Sequence, residues 1–145
     1  DDLLVFTSQT VIGTLADPNN PLSIIGVVVP LEDRWVLPPE EQQAVITATT
    51  AYNATIEALA QQYDMAFVDI DAFYTLVETE GFPLADGSVV TATYAIGGGF
   101  SLDGIHPSPR GSALIANEFI KAIEAKYGAT LPKVDPLAYT GLYIN

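Results

Sequence analysis

The chain has no cysteine and only one histidine, one methionine and one tryptophan among its 145 residues. Without cysteine there are no disulfides and no thiolate zinc sites, although this does not by itself fix a compartment, since exported proteins can also lack cysteine. Basic residues are almost as scarce: Arg34, Arg110, Lys121, Lys126 and Lys133 stand against eighteen acidic ones, for a formal charge of −13. Such a balance repels phosphate backbones and anionic membranes, which excludes nucleic acid as a partner. No apolar run is long enough to span a membrane and no signal peptide is visible.

What is present is apolar. Hydrophobic residues make up 49% of the chain and charged residues 16%, a composition that excludes a disordered polar chain. A chain of this length buries about 68% of its unfolded surface by the usual size scaling, enough for one core. The expected organisation is one domain, residues 1–145, or the C-terminal portion of one.

The scarcity of histidine gives His106 its weight. It sits in Phe100-Ser101-Leu102-Asp103-Gly104-Ile105-His106-Pro107-Ser108-Pro109-Arg110-Gly111, three residues after an aspartate. Imidazole is the side chain whose unperturbed pKa lies nearest neutrality, and a neighbouring carboxylate fixes its tautomer and stabilises its protonated form. Asp103 and His106 are spaced for that pairing. The same spacing also serves a purely structural loop closure, so spacing alone does not decide between the two. Pro107 and Pro109 stiffen the loop, and Ser108-Pro109 reads as an N-cap followed by an N1 proline.

The chain up to this loop reads as follows. Leu3 to Phe6 is an apolar run consistent with either a strand or a short buried helix. Asp17-Pro18-Asn19-Asn20-Pro21 marks a turn, and the β-branched run Ser23 to Val29 predicts a short strand. Arg34 and Trp35 are read as packing against their own domain, outside any site. Pro38-Pro39-Glu40-Glu41 opens a helix expected to reach about Tyr63, with Val45, Ala48, Tyr52, Ile56, Leu59 and Tyr63 as a core-facing stripe. Met65 to Ile70 predicts a strand, and Ala72 to Thr79 a helix stopped at Gly81. Asp69 and Asp71 would lie at the strand's end, where a carboxylate metal site is conceivable but not expected, for want of further ligands.

Phe82 to Gly99 has the character of an insertion, with a turn at Asp86-Gly87, alternation from Val89 to Ile96, and Gly97-Gly98-Gly99 read as a hinge beside the loop. No Lys-Ser/Thr follows the glycines, so a phosphate cradle is not indicated. A last helix from Pro109 to about Tyr127 carries Ala116, Phe119, Ile120, Ile123 and Tyr127 on one face and stops at Gly128. Beyond it, Leu131 to Asn145 is a proline-punctuated tail expected to pack along the surface. The helix-strand-helix succession argues for an α/β fold with a parallel sheet.

Asp103-Gly104-Ile105-His106-Pro107-Ser108-Pro109-Arg110-Gly111 and the helix after it resemble the last conserved block of the SGNH/GDSL hydrolases. The resemblance extends back through the long helix and Phe67-Val68-Asp69, covering roughly residues 38 to 128. It implies a flavodoxin-like three-layer α/β/α sandwich, here partial and lacking its N-terminal strands. It also implies a serine esterase or acylhydrolase acting on lipid or acetylated-carbohydrate esters, in which Asp103 orients His106 and His106 is the general base. No organic or metal cofactor is implied.

The family's Gly-Asp-Ser nucleophile block and its later glycine and asparagine blocks are not in this sequence. None of Ser8, Ser23, Ser88, Ser101, Ser108 and Ser112 lies in Gly-Asp-Ser or in a nucleophile elbow. The expectation is therefore that this is the C-terminal part of such an enzyme and inactive alone. Its partners would be a small ester and the missing N-terminal part of the same protein, with self-association covering apolar surface left open. The other expectation is a non-catalytic α/β interaction domain, in which the Asp-His loop has only a capping role.

Overall fold

Two consecutive prolines remove two backbone donors where a helix can do without them, and two glutamates follow in the first turn. Helix α1 accordingly runs Pro39–Gln62. It is preceded by strands β1 (Leu3–Leu4) and β2 (Val36–Leu37) and followed by helix α2 (Ile70–Thr79), strands β3 (Phe82–Pro83) and β4 (Val89–Val90), and helix α3 (Pro109–Tyr127). The structure, a computed structural model, describes residues 1–141. It divides into one unit of Asp1–Ile56 and another from Glu57 on. Three α-helices and two small antiparallel sheets among the described residues make the fold mixed α/β.

In the first unit, β1 pairs antiparallel with β2, with Leu3 opposite Leu37 and Leu4 opposite Val36. The apolar run near the start is thus a two-residue strand, followed by a 3-10 turn over Phe6–Thr10. The strand expected over Ser23 to Val29 does not form. Gly26 takes φ of +81°, in the left-handed region, and reverses the chain after Ile25. What remains are isolated bridges, Leu15 to Ile24 and Ile25 to Val29, with Val27 and Val28 exposed. Ser23 is buried and donates its hydroxyl to the carbonyls of Asn20 (2.7 Å) and Asp17 (3.0 Å), closing the predicted Asp-Pro-Asn-Asn turn. The Arg34 guanidinium lies 4.8 Å from the centre of the Trp35 ring, a local cation–π contact.

Helix α1 has the predicted length but not the predicted burial. Val45, Tyr52, Ile56, Leu59 and Tyr63 are between 46% and 67% exposed, and Ala60 is its one buried residue. Periodicity fixes which side chains share a face. Whether that face is covered depends on non-local packing, and no described segment covers this one.

The second unit has its core between α2, α3 and the β3–β4 hairpin. Phe73, Val77, Val90 and Leu114 are buried there, with Tyr74, Phe82, Leu84, Ala92 and Ile115 packed around them. The strand expected over Met65 to Ile70 is absent: the chain there is irregular and enters α2 at Ile70. A strand needs a neighbouring strand to take its backbone bonds, and the described residues offer none here. Asp69 is instead the N-cap of α2, accepting from the Ala72 N–H at 2.9 Å. Gly81 (φ +77°) closes the helix by donating to Leu76 O at 3.0 Å. Parallel pairing among the described residues is limited to the isolated bridges Ile25–Val29 and Thr91–Gly98.

Helix α3 begins and ends where its caps predict, with Ser108 as N-cap, Pro109 at its first position, and Gly128 left-handed at its end. Its buried residues are Gly111, Ala113 and Leu114, whereas Phe119 and Tyr127 of the expected stripe are exposed. The tail does pack on this helix: the Asn117 side chain exchanges two hydrogen bonds with the Val134 backbone, at 2.7 and 2.9 Å, and Arg110 N–H reaches Thr140 O at 3.1 Å. Residues 142–145 of the tail lie outside the described residues.

The glycine triplet is not a hinge. Gly97, Gly98 and Gly99 are buried, with Gly97 O accepting from Thr91 N (2.8 Å) and Gly99 N donating to Thr91 O (3.2 Å). These glycines admit close backbone approach: a Cβ on Gly99 would lie 2.8 Å from Thr91 O, and one on Gly111 would collide with Gly99 O. We therefore expect Gly111→Ala to lower stability by about 1–3 kcal/mol through overpacking, against a helix-propensity gain of about 1 kcal/mol. Exposed Ser112→Ala should change it by less than about 0.5 kcal/mol. Urea denaturation measures both, and an unchanged midpoint for Gly111→Ala would show that α3 does not rest on the Gly99 carbonyl.

Candidate functional site

The loop from Phe100 to Pro107 is closed at its base by three features. Phe100 and Pro107 form an antiparallel bridge, Ser101 N–H donates to His106 O at 2.8 Å, and Ser108 N–H donates to Gly99 O at 3.0 Å. The Ser108 side chain, fully buried, donates to Gly98 O (2.6 Å) and accepts from Gly111 N–H (2.9 Å), so one hydroxyl both caps α3 and ties it to the glycine segment. Phe100 stacks on Tyr74 with ring centres 5.2 Å apart, and burial pushes the Tyr74 phenol above its usual value. At the loop's tip, Gly104 N–H donates to Ser101 O at 3.0 Å, and Tyr94 donates its hydroxyl to Leu102 O at 2.7 Å.

Within this frame Asp103 and His106 meet as their spacing predicts. Asp103 Oδ2 lies 2.7 Å from His106 Nδ1. Asp103 Oδ1 accepts from the Ser101 hydroxyl (2.7 Å) and from the N–H groups of Ile105 and His106 (2.9 Å each). The Ser101 hydroxyl, then His106 and the two backbone donors, hold the Asp103 carboxyl well below the usual carboxylate range. An ionised acceptor on Nδ1 places the proton of the neutral ring there and leaves Nε2 with its lone pair. The His106 side chain is 78% exposed, so that lone pair is open to an incoming hydroxyl. The loop is not at the edge of a parallel sheet, since its neighbours are the isolated bridges at Thr91–Gly98 and Phe100–Pro107.

Among the described residues no hydroxyl is hydrogen-bonded to the His106 ring. Ser101 points its proton at Asp103, Ser108 is consumed in capping, and Ser88 bonds Asp86. The arrangement can therefore accept and return a proton, and contains no nucleophile directed by that base. Asp69 is occupied as a cap and Asp71 lies in the first turn of the same helix, and no group of three or more metal-binding side chains converges among the described residues.

Sequence reasoning missed Ser101 and Tyr94. The Ser-x-Asp spacing was a readable signal for the first, whereas Tyr94 reaches the loop from a separate turn and left no local trace. Comparison of the chain with protein-family models, with curated proteins and with solved structures found no match.

A carboxyl depressed in the folded state contributes stability that is complete above its unfolded pKa and is lost as pH falls through the folded value. The loop should accordingly stay locked through mild acid and release only in strong acid. A carbon-13 titration of Asp103 should show a midpoint well below the ordinary 3.8. A midpoint at that ordinary value would mean that the four donors do not hold the carboxylate in solution.

Proposed function

We propose that this chain carries the acid–base half of a serine esterase or acylhydrolase of the SGNH/GDSL type. The carrying observation is the 2.7 Å pairing of Asp103 Oδ2 with His106 Nδ1 on an exposed imidazole. In this reading the second unit belongs to a partial flavodoxin-like α/β/α sandwich, and the serine and oxyanion donors come from a segment of the same protein outside these 145 residues. The substrate is a carboxylic ester, of lipid or acetylated-carbohydrate type, and no organic or metal cofactor takes part.

The chemistry follows from the pair. The serine oxygen attacks the ester carbonyl carbon while Nε2 takes the hydroxyl proton, and Asp103 stabilises the imidazolium that results. Donors from the other segment hold the oxyanion. Collapse of the tetrahedral species breaks the bond to the alcohol, which leaves with the proton from Nε2. Water, deprotonated by the same nitrogen, then attacks the acyl carbon, and the acyl–serine bond breaks as the proton passes from Nε2 to the serine oxygen, releasing the acid.

One observation favours a second reading, a non-catalytic α/β interaction domain: the exposed apolar stripe of α1. Turnover of a short-chain aryl ester separates the two. The 145-residue chain alone should show none. Joined to its Gly-Asp-Ser segment it should turn over, and His106→Ala should reduce kcat by at least about 10³-fold, because triad members act as a unit. Equal turnover with and without His106 would remove the esterase reading.

A further inference from the structure

We propose that Ser101 is a positioning residue of the Asp103–His106 pair, its hydroxyl fixing the plane of the Asp103 carboxylate so that Oδ2 faces the imidazole. The inference rests on the acid–base reading for its purpose, but its geometry stands apart from any nucleophile. Asp103 Oδ1 collects three donors: the N–H groups of Ile105 and His106, which follow it in the chain, and the hydroxyl of Ser101, which precedes it. The carboxylate turns about its Cβ–Cγ bond, which moves both oxygens together, so every donor held on Oδ1 resists the rotation that would take Oδ2 off Nδ1. Of the three, the Ser101 hydroxyl is the one side-chain donor and makes the shortest bond, at 2.7 Å.

Ser101 is well placed to impose this. It is half-buried, whereas Asp103 and His106 are exposed. Its own backbone is held at both ends of the loop, with its N–H on His106 O at 2.8 Å and its carbonyl accepting from Gly104 N–H at 3.0 Å. The hydroxyl therefore reports the position of the His106 backbone to the carboxylate that must meet the His106 ring. Because it donates its one proton to Asp103, Ser101 is also not the nucleophile that His106 would activate.

The test uses the 145-residue chain itself, whose single histidine gives one pair of ring nitrogens by nitrogen-15 NMR. At a pH where the imidazole is neutral, the wild-type chain should show the proton predominantly on Nδ1. Ser101→Ala should convert this to a mixture of the two tautomers with the amide spectrum otherwise preserved, and Ser101→Thr, which keeps the hydroxyl, should restore the wild-type pattern. The Asp103 carboxyl should titrate at higher pH in Ser101→Ala than in wild type. A folded Ser101→Ala chain with the wild-type tautomer would overturn the proposal. Should the alanine variant not fold, the threonine variant decides: a mixed tautomer there overturns the proposal, and the wild-type tautomer supports it. These readings need no nucleophile, so their failure leaves the esterase proposal standing. Conversely, His106-independent ester turnover would end the esterase proposal without altering the tautomer result.

Discussion

The buried hydroxyl of Ser108 is the joint on which the second unit's loop architecture depends. By donating to Gly98 O and accepting from Gly111 N–H it fastens the start of α3 to the glycine segment, and the Ser108 backbone adds a bond to Gly99 O. The two ends of the Phe100–Pro107 loop are thereby brought together over a short span, where closure entropy is small and only a few conformers survive. A side chain on Gly111 would force these backbones apart. The local pairing of Asp103 with His106 then needs only the loop's own donors to complete it.

Local features of this arrangement were legible in the sequence because they depend on residues a few positions apart. The Asp-x-x-His spacing, the Ser108-Pro109 helix start, the stops at Gly81 and Gly128 and the Asp86-Gly87 turn are all set by backbone preferences and short-range hydrogen bonds. A catalytic purpose for the pair is a proposal, and it draws on the loop's resemblance to a hydrolase block.

The differences share one physical origin, since each turns on a partner far away in the chain. Met65 to Ile70 has strand composition but, among the described residues, no strand beside it, so its end serves as the cap of α2. The α1 stripe has helical periodicity and remains exposed. Gly97 to Gly99 have the flexibility of glycine in isolation, yet they are buried: Thr91 approaches Gly97 and Gly99 too closely for a Cβ, and Gly111 of α3 lies against the Gly99 carbonyl. Composition shows what a segment is able to do, and packing decides which of those options is used.

In the proposed reading, His106, oriented by Asp103, is the base for a serine outside these residues. Labelling with a fluorophosphonate, which phosphonylates only an activated serine, tests this most directly in the protein extended by its Gly-Asp-Ser segment. Mass spectrometry should find one modified serine, located in that segment, with labelling lost in His106→Ala. Labelling that proceeds at the same rate without His106, or an extended protein that is never labelled, would contradict that role for His106.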